Sequence, residues 1–245
     1  MMKNSKHWSR VTLFVLVVWS GLLMAANEIV LNTPAGDPLT NKAQTGFIDQ
    51  LVGLALSRLG YSLEVEHLPG ERALLLANSG VADGELLRIG GLEKRYPDLI
   101  PVPEKTFDME FIAFSRNKAL QIQSWDDLKN YTVAIITGWK ILENNIPEGV
   151  DLIKVKNPQQ LFELGSKGRA DVILFSRWQG ISFTRANHFD EIFPVGSPLA
   201  TMEMFVYLHK SRQALVPEMA QAIRDLKQDG SYQQLFQQVL EPLVQ

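Results

Sequence analysis

Apolar positions recur along this chain at two periods, and the two alternate. Residues 28–33 are rich in apolar side chains and predict a strand. After a turn-rich stretch at 34–45, Phe47, Leu51, Ala55 and Leu59 recur at helical spacing, which predicts a helix over about 46–58 that Gly60 stops. Tyr61, Leu63 and Val65 then alternate with Ser62, Glu64 and Glu66, the pattern of a half-buried strand. A helix over about 71–79 ends at Gly80, and a short strand follows at 84–88. Strands and helices alternating through short links imply an α/β fold whose sheet is mainly parallel and doubly wound.

A second series starts near residue 109. Residues 109–115 read as a strand, and Ser124 with Asp127 three residues on forms a capping box. A strand at 131–136, a short helix at about 139–144 and a third strand at about 151–155 follow. Asn157-Pro158 supplies a cap and a first-turn proline for a helix that Gly168 ends, and residues 170–175 make a buried strand. A strand at 203–208 returns toward the first series. Helices at about 215–228 and 231–240, divided by Asp229-Gly230, complete the pattern. Neither an internal repeat nor a low-complexity linker is evident.

The first residues change the picture. Lys3, Lys6 and Arg10 precede an apolar run over 11–24, and the small pair Ala25-Ala26 follows. This predicts a secretory signal peptide over 1–26; the alternative, an uncleaved anchor helix, would have to use a run short of the roughly 20 residues a span needs. Taking those three cations from the 24 basic residues leaves 21 against 27 acidic ones, so the net charge moves from −3 to −6. An acidic chain without a Lys/Arg run is unsuited to nucleic acid or to an anionic membrane surface. Cysteine is absent, which excludes a disulfide framework, a thiolate metal site and a lipid anchor on cysteine. His7, His67, His188 and His209 are scattered without metal-ligand spacing, and no P-loop, dinucleotide fingerprint or Gly-x-Ser-x-Gly elbow occurs, so neither a metal nor a cofactor is expected. The expected mature chain of about 220 residues is a soluble monomer.

Seven short segments appear together in one order: residues 46–51, the helix leading into 60–66, Gly80-Val81-Ala82-Asp83, Glu93-Lys94-Arg95, residues 124–138, Gly168-Arg169-Ala170-Asp171, and residues 227–232. In this order the chain resembles the polar-amino-acid type of periplasmic solute-binding protein, extracellular solute-binding protein family 3, over nearly all of its mature length. The resemblance implies a type II periplasmic-binding-protein fold of two α/β lobes joined by two crossing strands. Lobe 1 would comprise 27–112 and 207–245, and lobe 2 would comprise 113–206, with crossovers near 111–116 and 204–209. It also implies a non-catalytic role: closing around a small polar or anionic solute in the periplasm and handing it to the permease of an ABC importer. Two alternatives stay open, a secreted dehydratase of a prephenate-like acid on the same scaffold and a sensory solute-binding module. For the dehydratase, which needs a general acid, Glu71 or Glu85 could serve, and nothing in the sequence singles either out.

The family's carboxylate-binding arginine follows a Pro-Glu pair, and an ungapped count from Asp83 puts it on Arg95, preceded here by Glu93-Lys94. Arg95 is thus either a ligand arginine or a solvated member of a charged run. Arg88 ends an apolar strand, where a strand delivers a side chain into the cleft; it is either a ligand arginine or half of a structural ion pair. Arg72 stands where a loop enters a helix beside the same cleft. Arginine suits the role because its planar fork makes two charge-assisted bonds to a carboxylate. At 137–140 a strand joins a helix, so the backbone N–H groups around Gly138 and Lys140 form a candidate anion site, and Trp139 either stacks on a ligand or packs between the lobes. The family's ammonium-binding aspartate falls on Ser176, with Arg177 beside it. A hydroxyl cannot neutralise a desolvated ammonium, so the expected solute carries an anionic group and lacks an α-ammonium. Met202 and Met204 fit strand alternation and read as core.

Overall fold

The computed structural model describes residues 27–244, and the signal segment expected at 1–26 lies outside them. Strand β1 (Asn27–Thr33), helix α1 (Phe47–Arg58), β2 (Tyr61–His67), α2 (Gly70–Asn78) and β3 (Gly84–Ile89) form the first series, followed by a short β4 (Leu99–Pro101). Strand β5 (Phe107–Ser115) leads into β6 (Thr132–Ile136), α3 (Lys140–Glu143), β7 (Asp151–Val155), α4 (Pro158–Ser166), β8 (Val172–Ser176) and α5 (Arg177–Ala186). The chain then runs through β9 (Phe193–His209), α6 (Leu215–Gln228) and α7 (Ser231–Val239).

The strands form one path in the order β2-β1-β3-β9-β5-β8-β6-β7, with β4 paired to β9. At one end β1 pairs in parallel with β2 and β3; at the other β6 pairs in parallel with β7 and β8. Every antiparallel pair involves β5 or β9. The parallel winding that the alternation implied is therefore present at both ends, and two long strands, one outgoing and one returning, connect them.

Both ends use the same local device. Gly80 and Gly168 take positive φ and end their helices, and each is followed by x-Ala-Asp. Asp83 donates its N–H to the Val30 carbonyl and accepts the Val30 N–H on its carboxylate at 2.9 Å; Asp171 does the same with Thr132. The N-terminal caps also form as the spacing dictates. Asn157 accepts from the Gln160 N–H at 2.9 Å at the start of α4, and the Ser124 N–H donates to Asp127 at 2.8 Å before a 3₁₀ turn over Trp125–Asn130.

Among the described residues, apolar side chains pack on both sides of this division, in four clusters of which two are the largest. Ile29, Leu31, Phe47, Leu86, Val206 and Ile223 belong to a core between the first series and the C-terminal helices, where Phe47 meets Tyr232 and Phe236 edge to face. Ile112, Phe114, Ile136, Phe162 and Ile173 belong to a second core, with α4 over the sheet. Three elements exceed the expectation. The returning strand covers 193–209 rather than 203–208, α5 occupies a segment with no assigned element, and β4 is new. No described helix is long and apolar enough to cross a membrane.

Candidate functional site

A cavity of about 640 Å³ opens where the two series face each other across β5 and β9. Its walls come from both sides: Leu87, Arg88 and Ile89 at the end of β3, and Gly138 to Ile141 with Asn144 and Asn145 at α3, with Gln179 of α5 beside them. The floor is made by the connecting strands. Met109 is the register partner of Met202 and Phe107 that of Met204, so alternation turns Met109, Phe111, Met202 and Met204 to one face, and all four line the cavity. Asp108, Glu110 and Glu203 fall on the other face, where Asp108 and Glu203 pair with Lys105 and Glu110 pairs with Arg177.

Arg88 reaches the cavity through a backbone irregularity. Glu85 is the partner of Tyr207 and Arg88 that of Phe205, so β3 advances three residues while β9 advances two. In a regular strand Glu85 and Arg88 would point to opposite faces; the extra residue brings them together, the re-aiming that a bulge performs. Arg88 Nε donates to Glu85 Oε2 at 2.6 Å and Nη2 donates to the Gly70 carbonyl at 2.9 Å. Among the described residues, Nη1 has no acceptor. The Glu85 side chain is 0% exposed, and this burial pushes its carboxyl up to about 7 against the opposing pull of Arg88. Glu85 Oε1 and Asn32 Oδ1 are both buried without a partner, and their residues are paired in register on β3 and β1. A proton on Glu85 would supply the donor that two such acceptors lack.

The α3 side departs from the expected anion site. Glu143, one turn into the helix, folds back on its own start: the Lys140 ammonium is 2.5 Å from Oε2, and the Gly138 N–H donates to Oε1 at 3.1 Å. Lys140 first, then the Gly138 N–H, hold this carboxyl down to about 2. An internal anion thus takes the Gly138 N–H and pairs with the Lys140 side chain, two of the groups that the sequence offered to a solute. Trp139 does both things weighed for it. Its ring stacks on Phe175 at 4.7 Å, meets Phe111 edge to face at 5.7 Å, and still lines the cavity.

Of the sequence candidates, Arg88, Gly138, Trp139 and Lys140 line the cavity, while Arg72, Arg95 and Ser176 do not. Arg72 is exposed on α2. Arg95 is exposed, 2.8 Å from Glu71 and over the Tyr96 ring. Ser176 is buried and donates from Oγ to Gln179 Oε1 at 2.7 Å, so it orients a cavity amide from behind. Sequence reasoning missed Met109, Phe111, Gln179, Asn144 and Asn145. Met202 and Met204, read as core, do pack there, Met204 buried in the first core with Met202 against it, and both also line the cavity, which only the register of β5 on β9 could have shown.

No family model matches the chain. It is 28% identical over 192 residues to an uncharacterized protein of Shewanella oneidensis, spanning 75% of this chain and 72% of that one. Among solved structures, it superposes on a histidine kinase sensor domain with similarity to periplasmic binding proteins (TM-score 0.70, 18% identity, 88% of this chain and 96% of that one). It is also similar to an ancestral arginine-binding protein bound to arginine (0.67, 19%, 87% and 98%) and to the substrate-binding protein of an amino acid ABC transporter (0.63, 19%, 88% and 100%). The chain has the type II periplasmic-binding-protein fold.

Proposed function

We propose that this chain is a non-catalytic binding protein in which two lobes, 27–112 with 207–245 and 113–206, close around a small polar or anionic solute, which it delivers to the permease of an ABC importer in the periplasm. The observation that carries the proposal is Arg88, brought by the β3 bulge to a cavity walled by both series. A solute that touches both walls favours the closed arrangement by its differential affinity for it. Relatives of this fold include an arginine-binding protein and the binding component of an amino acid transporter, which supports solute binding as the role. A dehydratase would need a general acid at the reacting atoms; Glu71 lies outside the cavity lining and Glu85 is held behind Arg88, which favours binding over chemistry. A sensory module is the second reading, favoured by the likeness to a histidine kinase sensor domain.

A thermal-shift panel of amino acids, organic acids and inorganic anions tests the binding role. A solute at about 100 times its dissociation constant adds roughly 2.7 kcal/mol, a rise of about 5–11 °C for a chain of this size. A panel that moves the melting point nowhere contradicts the proposal.

A further inference from the structure

We infer that the solute is a carboxylate with an apolar body and no ammonium group: Arg88 takes the carboxylate, and the floor of Met109, Met202 and Met204 with Phe111 and Trp139 takes the body. The inference rests on the proposed solute-binding role and narrows it.

The cavity's charges set the first limit. Two cations line it and no carboxylate does. The Lys140 charge is balanced by Glu143 at 2.5 Å, whereas the Arg88 fork, bound through Nε and Nη2, keeps Nη1 without an acceptor among the described residues. An anion has a partner here, whereas a solute ammonium would enter a partly desolvated site with no counter-charge, which is costly. The remaining polar side chains, Asn144, Asn145 and Gln179, are neutral amides that hydrogen-bond a hydroxyl or carbonyl without requiring charge.

The floor sets the second limit. Charged and apolar positions of β5 and β9 are sorted by face, with Asp108, Glu110 and Glu203 away from the cavity and Phe111 and the methionines toward it. Thioethers are polarisable and adapt to irregular shapes, and they make favourable contacts with aromatic rings. Trp139 and Phe111 add flat aromatic surface. A short hydrophilic anion satisfies Arg88 and leaves this floor wet; a solute with an apolar body covers it. At about 640 Å³ the space suits such a molecule, since small-molecule sites run from about 300 to 1,000 Å³.

Isothermal titration of the purified chain with butyrate, hexanoate and octanoate, then with 3-phenylpropionate, phenylalanine, succinate and glutamate, tests the assignment. Each buried methylene contributes about 0.8 kcal/mol, so affinity should rise about fifteenfold per two-carbon step. Phenylalanine, which differs from 3-phenylpropionate by its α-ammonium, should bind at least tenfold more weakly. Met202→Gln, at a half-buried position, should flatten the chain-length series; Arg88→Gln should weaken every carboxylate. A flat series in the parent, or phenylalanine, glutamate or succinate binding as tightly as 3-phenylpropionate, overturns the apolar-carboxylate assignment and leaves the solute-binding role standing. No heat from any of the seven solutes, together with a silent thermal panel, overturns both.

Discussion

Arg88 is a cavity-lining arginine whose carboxyl partner, Glu85, stands behind it rather than in front. Removing it takes away a charge-assisted contact worth about 1.5–3 kcal/mol, so Arg88→Ala should lower affinity for a carboxylate solute by about tenfold or more in titration calorimetry. Arg95→Ala is the contrasting case, because that side chain is exposed and pairs with Glu71 on the surface. Its removal should leave affinity unchanged and cost under about 1 kcal/mol of stability; an equal loss of binding in both variants would restore the placement that the family resemblance gave to Arg95. Glu85 makes a prediction of the opposite kind. Its folded carboxyl lies near 7, above the usual carboxylate range, because it is buried. The folded state therefore holds the proton more tightly than the unfolded chain. Its contribution to stability is present below about pH 4.5, falls as the pH rises toward 7, and levels off above that. The fall is at most about 1.4 kcal/mol per pH unit, so denaturant melts at pH 5 and 7 should show the parent losing roughly 2–3 kcal/mol more than Glu85→Gln. Equal losses in parent and variant would place Glu85 ionised throughout that range.

At the scale of elements, local chemistry was legible wherever the chain obeyed its own period. Asn157-Pro158 starts α4, Ser124 and Asp127 cap the turn that follows them, and Gly80 and Gly168 end their helices as the sequence indicates. The misses share a cause, namely that tertiary packing gave punctuating residues another use. Pro194, Gly196 and Pro198 punctuate a segment for which no element is expected, yet it pairs with β5, with Pro194 opposite Phe114 and a register shift between Phe111 and Ala113. Residues 177–186 likewise carry no expected element, yet they form α5, whose Gly180 lets the helix sit against a buried ring. A Cβ there would stand 2.3 Å from Phe114 Cζ. Gly180→Ala should cost about 1–3 kcal/mol by overpacking, read as a lower denaturant midpoint with an unchanged slope; a neutral result would mean that α5 moves off the sheet freely. The site was legible only in part, for the same reason. Alternation sets Glu85 and Arg88 on opposite faces, and only the β3 bulge, invisible in residue types, brings them together. Glu143 lies within one helical turn of Lys140, but its capture of the Gly138 N–H depends on a backbone shape that spacing does not specify.

For the molecule as a whole, two parallel sheet ends are joined by β5 and β9, with an apolar floor on one face of the connecting strands and charge on the other; the proposed closure would use these two strands as its hinge. Solute contacts to the β3 side and the α3 side belong to different walls, so a bridging solute gains most when the walls approach. Bound and free forms should therefore differ in shape as well as in stability. Small-angle scattering, with and without saturating amounts of the tightest solute from the thermal panel, measures this most directly. Closure predicts a smaller radius of gyration on binding, moving toward the ~17 Å of a compact chain of this length. Superimposable profiles at proven saturation would contradict a site that works by bringing two lobes together.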